Sequence, residues 1–116
     1  QDDLKAIKAV GNEIADFLYD ELQAYISRCN LLFNENIGSC CAYDYAAVAP
    51  LIDESVITEM HRDVAHVDIS AGMADGQLVI DRRGMFKAEK PIDVIYKTDP
   101  VKLHTLLLDL LKSASL

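Results

Sequence analysis

Asp44 is the residue in this sequence best placed to do chemistry. It follows the Gly38-Ser39-Cys40-Cys41 stretch, sits between Tyr43 and Tyr45, and heads an apolar run from Ala46 to Ala49. That setting predicts a partly buried carboxylate. Such a group needs a partner: backbone N–H groups, a base or a cation. Helix capping, through first-turn N–H groups and the helix dipole, is the use that spacing alone favours. Asp16 and Asp20, one helical turn apart, offer too few oxygens for calcium, which takes about 6–8. They read as solvated surface carboxylates. His61, His66 and His104 are scattered and read as surface or structural residues. Cys29, Cys40 and Cys41 include an adjacent pair in an odd count, a poor disulfide framework that points to a reducing compartment. There is no CxxC and no zinc spacing, so small buried thiols are the plainer reading. GxSxG, P-loop and GxGxxG motifs are absent from the sequence.

The elements that must position these residues follow from periodicity. Leu4, Ile7, Val10, Ile14, Phe17, Leu18, Leu22 and Tyr25 recur at helical steps and predict one long helix over residues 2–29. Its other face carries Lys5, Lys8, Glu13, Asp16, Asp20 and Glu21. Residues 30–42 are rich in loop formers (Asn30, Asn34, Asn36, Gly38, Ser39) yet contain Leu31, Leu32, Phe33 and Ile37, so the loop is expected to fold back on the core or cover a pocket. A short buried helix is predicted over 43–49, capped by Ser39 or Asp44. A further turn is expected from Asp53 to Ser55. Ala65, Val67 and Ile69 then alternate with His66 and Asp68, and a turn with Gly72 and Gly76 leads to a second strand over 77–81, giving a β-hairpin. Residues 92–96 form a third strand. Thr98-Asp99-Pro100 starts a last helix through Leu103, Leu106, Leu107, Leu110 and Leu111. That helix is apolar on more than one side and expects more cover than three strands give.

Composition bounds the function. The chain has 116 residues, with 11 Lys plus Arg against 19 Asp plus Glu, a formal charge of −8. So acidic a balance argues against binding nucleic-acid backbones or anionic membranes. With 51% apolar residues the chain can bury a core. No apolar run approaches the roughly 20 residues needed to span a bilayer.

The segment Cys41-Ala42-Tyr43-Asp44-Tyr45-Ala46-Ala47-Val48-Ala49-Pro50-Leu51-Ile52-Asp53 resembles the C-terminal signature of the inosine-uridine type nucleoside hydrolases, where an aromatic residue or His precedes an Asp and a short apolar helix follows. His66-Val67-Asp68-Ile69 and Gly76-Gln77-Leu78-Val79-Ile80-Asp81 are similar to that family's hairpin, Pro91 to Asp99 to its last strand, and Val101 to Leu111 to its closing helix. The resemblance covers nearly the whole chain. It implies an α/β fold, here a piece of an open mixed sheet, with residues 1–116 forming the C-terminal part of the domain. It implies calcium-dependent hydrolysis of the N-glycosidic bond of ribonucleosides, giving ribose and free base, in cytoplasmic nucleoside salvage by a homo-oligomer. The family's DxDxxxDD cluster, which supplies most calcium ligands and the general base, does not occur in this sequence. The expectation is therefore an inactive piece whose missing N-terminal portion is its partner. By resemblance Asp44 completes the metal shell and Tyr43 faces the nucleobase. Many members have His where Tyr43 stands. A neutral tyrosine, of ordinary pKa near ~10, is a weaker proton donor than a histidinium, but can stack on or hydrogen-bond a base. The rival reading is a non-catalytic α+β protein-interaction module.

Overall fold

The computed structural model describes residues 2–34, 38–40, 42–85 and 90–114. Two compact units are present: residues 1–56 with 99–116, and residues 57–98.

The first unit is helical. α1 (Asp2–Lys8) and α2 (Glu13–Phe33) replace the single helix expected over 2–29. The break has two causes. Gly11 adopts φ +74°, a left-handed conformation that costs glycine little. Asn12 then caps α2, its side-chain oxygen accepting from Ala15 N–H at 2.8 Å. α2 also runs a turn beyond the expected end, through Leu31-Leu32-Phe33, and stops where Asn34 turns left-handed at φ 51°. The expected loop is correspondingly shorter, and Ile37 and Cys41 lie outside the described residues. α3 (Tyr43–Ile52) includes Pro50 and continues past it, with Asp53 N–H donating to the Ala49 carbonyl at 3.0 Å. A short 3-10 turn, Glu54–Val56, follows. α4 (Pro100–Ser113) begins as predicted: Asp99 Oδ1 accepts from Val101 and Lys102 N–H at 2.9 and 3.2 Å, with Pro100 in the first turn.

The core of this unit is Ile7, Ala15 and Leu111, surrounded by half-buried Val10, Ile14, Leu18, Tyr19, Leu22, Leu107 and Leu108. The helical register of the sequence is thus right for α1, the start of α2 and α4. It is not right at Phe17 and Tyr25, which stay exposed. Asn12 fastens the core from below: its Nδ2 donates to the Leu111 carbonyl at 2.6 Å, tying the last turn of α4 to the junction of α1 and α2. Lys8 bonds Asp16 at 2.8 Å and lies 5.1 Å from the Tyr19 ring centre.

The second unit is all β. β1 (Ile57–Asp63) pairs antiparallel with β4 (Ile92–Thr98), and β2 (Ala65–Val67) pairs antiparallel with β3 (Leu78–Ile80). The β2–β3 hairpin and β4 were expected; β1 was not. Its residues, Ile-Thr-Glu-Met-His-Arg-Asp, carry no clean apolar alternation, and cross-strand polar pairs hold it instead. Arg62 faces Asp93 at 3.2 Å, the Tyr96 hydroxyl donates to Asp63 at 2.7 Å, and Glu59 bonds Lys97 and, at 3.0 Å, His61. The His61 and Tyr96 rings meet edge to face at 5.0 Å. The turn between β2 and β3 closes through Asp68, whose Oδ1 accepts from Ser70 N–H at 2.8 Å and whose carbonyl accepts from Gly76 N–H at 2.7 Å.

Few side chains are sealed from water among the described residues. The buried ones are Ile7, Ala15, Ile26, Ala49, Pro50, Val56 and Leu111. Large apolar residues on α2 and α3 stay open, Leu31 at 83% and Leu51 at 86%. On α4, the helix expected to need more cover, Leu111 is the one buried residue among those described.

Candidate active site

α3 carries the residues that the sequence singles out. It is apolar on nearly all sides, so it reads as a helix made for burial. Yet among its described residues only Ala49 and Pro50 are buried. Two expectations are corrected here. Asp44 is exposed rather than partly buried, because none of the described residues covers it. Neither Ser39 nor Asp44 caps the helix: the N-cap is Ala42, with no side-chain hydrogen bond. The Asp44 carboxylate is therefore not committed to capping. Tyr43, its neighbour in the first turn, is 70% exposed.

Tyr45 points the other way. Its hydroxyl donates to the Leu103 carbonyl of α4 at 2.6 Å. Burial raises its pKa above the ordinary tyrosine value, partly offset by the nearby Leu107 backbone N–H. Sequence reasoning passed over Tyr45 and Asn12. The signal for Asn12 was present, an Asn directly after a Gly inside a helical pattern.

His104 lies on α4 with Nδ1 3.5 Å from Asp3 Oδ1, and His61 and His66 lie on β1 and β2. Asp16 is engaged with Lys8, which agrees with its reading as a surface group. Cys29 and Cys40 are half-buried. Among the described residues no group of three His, Cys, Asp or Glu is placed to hold a metal. The residues present therefore do not by themselves fit a calcium site. Asp44 offers one carboxylate where calcium takes about 6–8 oxygens. A cleft of ≈ 170 Å³ lies in the first unit, its lining including Leu4, Ile7, Leu22, Ile26, Asp3 and His104. It falls below the roughly 300–1,000 Å³ of ordinary small-molecule pockets.

No family model and no curated protein matches this sequence. Among solved structures, the chain is similar to a purine-preferring ribonucleoside hydrolase from Gardnerella vaginalis, with a TM-score of 0.69 and 22% sequence identity over 97% of this chain. The likeness is one of fold. The chain spans 36% of the length of that hydrolase chain. Helices with small antiparallel sheets thus form a mixed α/β arrangement consistent with a fragment of a nucleoside hydrolase fold. Among the described residues no helix is long and apolar enough to cross a membrane.

Proposed function

We propose that these 116 residues are the C-terminal part of a ribonucleoside hydrolase that splits the N-glycosidic bond to give ribose and a free base. The observation that carries this reading is the fold likeness over 97% of the chain, joined to the Asp44 segment of the sequence. In this reading Asp44 is one ligand of a calcium ion whose other ligands, and the general base, belong to residues outside this chain. Bound calcium would supply Lewis-acid chemistry at the site. Asp44 is suited to a ligand's part because its carboxylate is exposed on the first turn of a helix that it does not cap. Tyr43, exposed beside it, stacks on or hydrogen-bonds the base in this reading. The isolated chain is inactive in this account. The intact protein works in the cytoplasm as a homo-oligomer.

The test is made in the natural gene product that carries this chain. Asp44→Asn, which keeps shape and removes charge, should weaken calcium binding and lower nucleoside turnover by at least about 100-fold, the cost of losing a positioned catalytic interaction. Asp16→Asn, altering a carboxylate engaged with Lys8, should leave turnover intact. Unchanged turnover in Asp44→Asn removes Asp44 from the site.

The open apolar residues of α3, Val48 and Leu51 among them, also suit a module that binds another protein without catalysis. A gene product inert toward every nucleoside, but associating through α3, would favour that second reading.

A further inference from the structure

Tyr45 stands next to Asp44 in the first turn of α3 but turns inward, where its hydroxyl meets the Leu103 carbonyl at 2.6 Å. The start of α3 has no capping side chain, since Ala42 occupies the N-cap. The turn bearing Tyr43 and Asp44 is therefore not fixed in the usual way, by a Ser, Thr, Asn or Asp bonded to first-turn N–H groups. A bond from the middle of that turn reaches the backbone of α4. α4 is itself held at both ends, by Asp99 at its start and by Asn12 on Leu111 at its finish.

We propose that Tyr45 is a positioning residue: its hydroxyl, bonded to the Leu103 carbonyl, sets where the first turn of α3 holds Tyr43 and Asp44. This rests on the reading of Tyr43 and Asp44 as site residues. Tyr45 itself touches no reacting atom. The half-buried ring packs α3 on α4, and the hydroxyl adds direction, because a hydrogen bond weakens steeply when bent. Tyr45→Phe separates the two, keeping the ring and removing only the bond.

Two readouts test this. In the 116-residue chain, Tyr45→Phe should speed amide exchange at residues 46–49 by about fivefold, as losing one net hydrogen bond implies, with helix content by circular dichroism unchanged. In the natural gene product, Tyr45→Phe should lower kcat about tenfold at nearly constant KM, as a small displacement of catalytic groups does. Asp44→Asn is run beside it. Loss of turnover in Asp44→Asn, with wild-type kcat and wild-type exchange in Tyr45→Phe, overturns the positioning role and leaves the functional reading standing. Full turnover in Asp44→Asn overturns the functional reading, and the positioning role with it.

Discussion

Replacing Asn12 by alanine should destabilise the helical unit by about 2 kcal/mol. The figure comes from two bonds made by one side chain. Its oxygen caps α2 by accepting from Ala15 N–H at 2.8 Å, and losing an Asn cap to Ala costs about 1 kcal/mol. Its nitrogen donates to the Leu111 carbonyl at 2.6 Å in a partly buried place, a net contribution of about 1 kcal/mol. A second contact, to the Ala114 carbonyl at 3.4 Å, is too long to add much. Asn12→Asp separates the two contributions. It keeps the capping acceptor, loses the donor and brings a carboxylate against the Leu111 carbonyl. The expected order of stability is wild type, then Asn12→Asp, then Asn12→Ala. The assay is urea unfolding followed by far-UV circular dichroism, which reports on the helices. With a slope of about 2 kcal/mol per molar urea, Asn12→Ala should move the midpoint by about 1 M. A loss under about 0.5 kcal/mol would refute the claim that Asn12 fastens α4 to the α1–α2 junction, since that is the range of ordinary surface substitutions. So would an Asn12→Asp variant as stable as wild type.

Gly11→Ala should cost about 1–2 kcal/mol in the same assay, because φ +74° forces a left-handed conformation on a residue with a Cβ. A neutral result would mean that the α1–α2 break relaxes. In the β unit, the hydrogen bonds from Lys97 and then His61 hold the Glu59 pKa below the usual carboxylate value. A lowered folded pKa gives stability that is present above the unfolded value and lost as pH falls through the folded one. Acid titration should therefore loosen the β1–β4 pair, seen as faster amide exchange, and Glu59→Gln should flatten that dependence; an unchanged acid profile in the variant counts against it. Leu51→Lys should reduce self-association in sedimentation without lowering stability, since Leu51 is 86% exposed. Equal association in wild type and variant would take α3 out of the sticky surface.

The sequence makes the elements with strong periodicity or strong punctuation legible. α4 announces itself through Asp99-Pro100 and its leucines, and the β2–β3 hairpin through alternation and Gly76. β1 is hidden because its stability is cross-strand and polar: Arg62 with Asp93, Asp63 with Tyr96 and Glu59 with Lys97 are pairs that no local pattern displays. The α1–α2 break is hidden because Gly11 and Asn12 interrupt a helical repeat that resumes in nearly the same phase. At the site, the types of Tyr43 and Asp44 were legible, but not their exposure. An apolar helix normally signals burial, and here most of α3 faces away from the rest of its unit. Tyr45 escaped notice because its role depends on α4, which lies more than fifty residues further along the chain.

The proposed function makes this fold part of an enzyme that acts on nucleosides. Its most direct test is to incubate the natural gene product carrying these residues with a panel of purine and pyrimidine ribonucleosides and calcium, and to measure free base and ribose. Both products are expected in equal amounts, with none from the 116-residue chain alone. An intact, folded gene product that leaves every nucleoside uncleaved would contradict the proposed function.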